Sequence, residues 1–166
     1  MYKEEDYLVY KKDVCKVKEI KKSHFDNAIY YVLVPVNDNT LKIEVPAANR
    51  LGHIRDLISK KEIENIIKEI PNIKAIEEND KLIENKYKEL MQKGTYEDLI
   101  AIIKTTYLRN KTKENNKKKL SDKDLHYLNL AEKYLYTEFG IVLNMSYDDT
   151  KKYVENQVSK LVINEK

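Results

Sequence analysis

The chain has 166 residues, of which 42% are hydrophobic and 36% charged, and its net charge is +3. That length suits one compact domain or two small ones, the 13 tyrosines and the aliphatic residues suffice for a core, and the small net charge excludes a uniformly basic nucleic-acid coat while allowing a local basic face. Gly52, Gly94 and Gly140 lie too far apart for a glycine-rich phosphate loop, and the lone Cys15 excludes an internal disulfide or a multi-cysteine zinc site.

Short β-type segments come first. Tyr7-Leu8-Val9-Tyr10 is an apolar burst, and Cys15 to Ile20 alternates with the period of a half-buried strand. Ala28 to Pro35 is a long β-rich run, and Leu41-Lys42-Ile43-Glu44-Val45-Pro46 alternates cleanly. Turn formers separate them, and Asn37-Asp38-Asn39 suits the left-handed conformations of a tight hairpin. Four or five strands predict a small curled antiparallel sheet or barrel.

Near residue 58 the period lengthens to that of a helix. Ser59 with Glu62 forms a capping box before the stripe Ile63, Ile66, Ile67, Ile70, and Pro71 marks the stop. A second helix uses Leu82, Ile83, Tyr87, Leu90 and Met91 and ends at Gly94. Thr95 caps a third, with Leu99, Ile102, Ile103, Thr106 and Tyr107. Leu108 to Lys119 is polar and strongly basic. Ser121 caps a fourth helix through Leu125, Leu128, Ala131, Leu135 and Phe139, with Gly140 as its C-cap, and Ser146 caps a fifth through Tyr153, Val154, Val158 and Leu161. The fold class is α+β: a β module over residues 1–57, then an all-α module of about five helices over 58–166.

No nucleophile elbow, metal-binding histidine pair or nucleotide loop occurs, so neither an enzyme nor a cofactor is expected. Cys15 reads as a small buried residue. The first residues lack the apolar run of a secretory signal, and no window is apolar enough to span a membrane, so the expected location is cytoplasmic. Lys104 to Lys119 holds seven basic residues and one acid, +6 in 16 residues, which is enough to neutralise several phosphates or to form a solvated interhelical loop. Lys81, Lys86, Lys88 and Lys93 form a second basic group, beside Leu82 and Ile83. Apolar side chains next to such lysines are ingredients of a minor-groove wedge and equally of a core stripe. The β module's edges invite strand addition by a partner.

The order and spacing of several segments resemble the CarD family of bacterial transcription regulators. These segments are Asp6 to Tyr10, Val14 to Ile20, Tyr30-Tyr31-Val32-Leu33, Leu41 to Pro46, Ala47-Ala48-Asn49 with Ile54-Arg55, Lys86-Tyr87-Lys88-Glu89-Leu90, Ile100 to Asn110 and Leu120-Ser121-Asp122. They span residues 1 to about 145. The resemblance implies a Tudor-like N-terminal module, shared with the transcription-repair coupling factor, that docks on the RNA polymerase β subunit. It also implies a helical module touching promoter DNA at the upstream edge of the bubble, so that the melted complex is stabilised. By this likeness Lys22, Lys42, Ile43 and Glu44 face polymerase. Ile83 stands where the family has a wedging Trp, Lys86 and Lys88 lie on phosphates, and Arg109 and Lys111 are further DNA contacts. Tyr87 packs beneath its helix. The family's Pro and Gly of the first turn are absent, with Asp13 the residue able to turn left-handed, and Glu44 replaces a frequent basic residue. A monomer is expected. The rival readings are a polymerase-binding module without DNA contact and a helical nucleic-acid-binding protein acting alone.

Overall fold

Alternating apolar residues, many of them β-branched or aromatic, set the first third of the chain into strands. Strand β1 (Tyr7–Tyr10) turns directly into β2 (Asp13–Lys22), with Leu8 opposite Cys15 and Tyr10 opposite Asp13. The left-handed residue of this turn is Lys11, at φ 57°, rather than Asp13. Lys11 N–H donates to the His53 carbonyl at 2.7 Å, which ties the turn to a distant loop. β2 pairs with β3 (Ile29–Pro35) through a register shift between Val17 and Glu19, and such a bulge bends the strand and increases its twist. β4 (Ile43–Pro46) and β5 (Ile54–Arg55) complete an antiparallel sheet of order β4-β3-β2-β1-β5, curled as a half-barrel. Leu8, Cys15, Val17, Tyr31, Leu33, Val45 and Ile54 form its core. The β3–β4 connection does not use left-handed asparagines. Asp38 builds it instead: its Oδ1 accepts from the Thr40 N–H at 3.1 Å and the Thr40 hydroxyl at 2.6 Å.

The computed structural model describes residues 1–164 and divides the chain after Leu57 into two units. The second unit is helical. In α1 (Lys60–Glu69), Ser59 and Glu62 make both halves of the capping box, and Ile63 and Ile67 are buried. A 3-10 turn, Ile70–Asn72, follows where Pro71 ends the α-helix. α2 (Ile83–Lys93) stops at Gly94, whose φ of 66° is the left-handed conformation that glycine adopts without cost. α3 (Tyr96–Asn115) starts with a Thr95–Asp98 capping box. It runs far into the basic segment, so most of that segment is helix rather than loop. α4 (Asp122–Leu143) and α5 (Tyr147–Asn164) complete the unit.

Two expectations about α4 are corrected. Gly140 is not its cap: the helix continues to Leu143, and Asn144 at φ 55° ends it. Gly140 is small because its backbone is crowded. A Cβ there would lie 2.9 Å from both the Met145 carbonyl oxygen and Thr150 Oγ1. Leu125 is exposed, while Tyr127 and Tyr136 are buried, so the packing face is rotated from the leucine stripe. The core gathers Ile63, Ile83, Tyr87, Ile102, Leu135 and Phe139. Buried Glu138 accepts at Oε1 from the Ile58 N–H (3.0 Å) and the Tyr96 hydroxyl (2.8 Å), which joins the entry of the unit to α3 and α4.

Candidate nucleic-acid interface and docking strand

β4 is one edge of the sheet, and its alternation sorts the docking candidates. Ile43 turns inward and packs against the core with Val45, so it leaves the partner-facing set. Glu44 points outward and pairs with Lys21 at 3.0 Å. Lys42 is exposed one residue before the strand begins, and Lys22 is exposed at the end of β2. Lys22, Lys42 and Glu44 therefore remain on the surface of the β unit.

In the helical unit the predicted wedge is corrected. Ile83 is 0% exposed and belongs to the core. The apolar side chain offered to solvent there is its neighbour Leu82, 48% exposed, at the start of α2. The helical period explains the exchange. Ile83, Tyr87, Leu90 and Met91 share one face of α2, and Leu82 lies outside it.

Arg109 is also corrected. Its Nε donates to both carboxylate oxygens of Asp124, at 3.1 and 3.2 Å, and its terminal nitrogen to Asp80 at 2.8 Å. Asp124 is fully buried. It also accepts from the Tyr87 hydroxyl (2.7 Å) and the Ser121 hydroxyl (2.8 Å), with Lys113 Nζ at 3.5 Å. Burial alone would raise the Asp124 carboxyl. The hydrogen bonds from Tyr87 and Ser121 and the Arg109 guanidinium outweigh it and hold the carboxyl below its usual value. Burial and the Asp124 carboxylate push the Tyr87 phenol up. Tyr87 is thus a packing residue whose hydroxyl latches α2 to α4. Lys123 Nζ donates to the Asp80 carbonyl at 2.6 Å, bringing the segment before α2 into the same latch.

The basic run divides accordingly. Lys104 Nζ donates to the carbonyls of Ile70 (2.7 Å), Pro71 (3.2 Å) and Ile73 (2.7 Å), closing the polar end of α1 and its 3-10 turn. Burial lowers the pKa of this ammonium. Lys104, Arg109 and Lys113 are therefore committed to the fold. Lys111, Lys117, Lys118 and Lys119 remain exposed. Lys111 lies 4.9 Å from the ring centroid of Tyr107, one helical turn earlier, and Tyr107 is 55% exposed. Leu108 is 48% exposed beside it. On α2, Lys86 pairs with Glu89 at 3.4 Å and Lys88 with Glu84 at 3.8 Å, so each has a carboxylate on its own helix.

Leu82, Leu108 and Leu125 each lie within two residues of a latch residue, Asp80, Arg109 or Asp124. One end of the helical unit thus combines exposed apolar side chains with lysines. Sequence reading missed Tyr107 and Leu108 as surface groups. The available signal was the Tyr107–Lys111 spacing of one helical turn. No protein-family model matches the chain. No curated protein matches it either.

Proposed function

We propose that this chain is a bacterial transcription regulator that docks on the RNA polymerase β subunit through its β unit and holds promoter DNA at the upstream bubble edge through its helical unit. The supporting observation is the order of parts. A curled five-stranded antiparallel sheet comes first and a helical unit follows, the arrangement that the colinear resemblance to the CarD family implies. The DNA-facing set is Lys111, Lys117, Lys118 and Lys119 with Tyr107 and Leu108, flanked by Lys86 and Lys88. Leu82 takes the apolar role that Ile83 cannot fill from the core.

A regulator bound to polymerase and fork stabilises the open complex only by its differential affinity for melted over closed DNA. A tenfold shift needs about 1.4 kcal/mol, within reach of one apolar wedge and a few phosphate contacts. Tethering to polymerase raises the local concentration of DNA, so a net charge of +3 is sufficient. The test is retention of purified β subunit by the full chain, together with open-complex lifetime on a fluorescent promoter. Retention with a lengthened lifetime is expected, and absence of retention overturns the proposal.

The second reading, a docking module without DNA contact, draws support from the consumption of Lys104, Arg109 and Lys113 inside the fold. Under it, neutralising the four exposed lysines leaves open-complex lifetime unchanged.

A further inference from the structure

The β unit contains a cleft of about 370 Å³ lined by Tyr10, Tyr30 and His53, with Asp26 and Glu44 among its other lining residues; the Tyr10 and His53 rings meet edge to face at 6.0 Å. The curl of the sheet makes it, because Tyr10 belongs to β1 and Tyr30 to β3, and the loop from Ala47 to His53 closes the side. That loop is held by Asn49, at φ 48°. Its amide donates to the Ile54 carbonyl at 2.8 Å and its Oδ1 accepts from the Ile54 N–H at 3.0 Å. The cleft therefore exists before any partner arrives, which removes an ordering cost from binding.

We propose that this cleft receives an arginine side chain of the docking partner, its stem against the apolar wall, its guanidinium beside the tyrosine rings and facing the Asp26 and Glu44 carboxylates. The proposal rests on the reading of the β unit as the docking module and names the partner group it takes. A guanidinium is weakly hydrated, stacks on aromatic faces and accepts carboxylates in its plane, so it fits this lining better than an ammonium. Asp26 is held ionised by the Ala28 N–H on its carboxylate, which lowers its pKa.

Three cations of the chain itself stand nearby. Lys21 pairs with Glu44 at 3.0 Å, Lys11 lies 5.4 Å from the Tyr10 centroid, and Arg50 lines the cleft. Lys11, Lys21 and Arg50 are all exposed, and an exposed ion pair such as Lys21–Glu44 is worth at most about 1 kcal/mol, so Glu44 exchanges it readily for a partner's group. A protein partner is favoured over a small molecule by one exposed apolar side chain at the cleft and a second beside it in sequence. Leu51 lines it and is 80% exposed, and Phe25, fully exposed, precedes Asp26. Apolar anchors around a charged centre are what a protein contact uses.

The experiment titrates the isotope-labelled full chain with N-α-acetyl-arginine amide, followed by backbone amide shifts. N-α-acetyl-glutamate amide is the control. Saturable shifts at Tyr30, Val45, Ala48 and His53 are expected with the arginine probe, weakened about tenfold in the Asp26→Asn/Glu44→Gln double variant. The Asp26→Asn change keeps a side-chain oxygen to accept from the Ala28 N–H, and an overlaying spectrum elsewhere verifies the fold. Absent saturation, equal binding by the variant, or saturation by the glutamate probe through Arg50 each overturns the proposal. β-subunit retention is measured in parallel. Its failure with an intact arginine titration sinks the docking reading alone, and the reverse sinks the cleft alone.

Discussion

Ile83 and Asp124 show how burial reassigns a residue. Ile83 has no exposed surface, so truncating it leaves a cavity among Tyr87 and its neighbours. Ile83→Ala is expected to cost about 2–4 kcal/mol of stability, read as a lowered urea midpoint, whereas Leu82→Ala, at an exposed site, should change stability by less than about 0.5 kcal/mol. Equal midpoints for the two variants would reverse the assignment. Asp124 sits at the centre of a latch between three helices. Its folded pKa lies below its unfolded value of about 3.9. The stabilisation it contributes is therefore complete above that value and is lost as pH falls through the folded pKa. Asp124→Asn is expected to cost about 3 kcal/mol at neutral pH and to flatten the acid side of a stability-versus-pH curve measured by urea unfolding. A curve as steep as the parent's below about pH 4 would count against the latch.

Helix ends were legible because capping is local chemistry. Ser59 with Glu62 and Thr95 with Asp98 each place a hydroxyl and a carboxylate three residues apart, and both boxes form. Gly94 likewise ends α2 through its own backbone freedom. Gly140 was not legible in this way, because its reason is a neighbouring backbone. Gly140→Ala puts a methyl 2.9 Å from the Met145 carbonyl oxygen and Thr150 Oγ1. It should destabilise by about 1–3 kcal/mol despite alanine's better helix propensity. A thermal midpoint at or above the parent's would show that the α4–α5 turn yields. The length of α3 escaped sequence reading for a related reason. Asn110 to Asn115 is polar on every side, so no apolar period marks it as helix.

For the whole molecule the question is which charges remain for a partner. Replacing Lys111, Lys117, Lys118 and Lys119 with Gln removes exposed cations and leaves the latch and the Lys104 contacts in place. The variant should fold like the parent, bind DNA less tightly, and lose about 0.9 in the log–log salt slope for each phosphate contact removed. Open-complex lifetime should shorten while β-subunit retention stays unchanged. An unaltered lifetime would favour the docking module without DNA contact.

Periodicity and capping by themselves determined a strand-rich front third, a helical remainder and the starts of α1, α3 and α4, because each is written in residues one to four positions apart. The alternation of Leu41 to Pro46 was readable for the same reason, but the family likeness set Ile43 on the polymerase side, and the packed sheet turns it inward beside Val45. The fate of the charges was decided only when the chain closed on itself. Arg109 meets Asp124 across 15 residues, Lys104 meets Ile70 across 34, and Tyr87 meets Asp124 across 37. Composition counts these cations alike. A long side chain goes to whichever carboxylate or carbonyl the fold brings within reach, and burial strengthens that attachment. Which lysines remain at the surface is therefore a property of the packed helices.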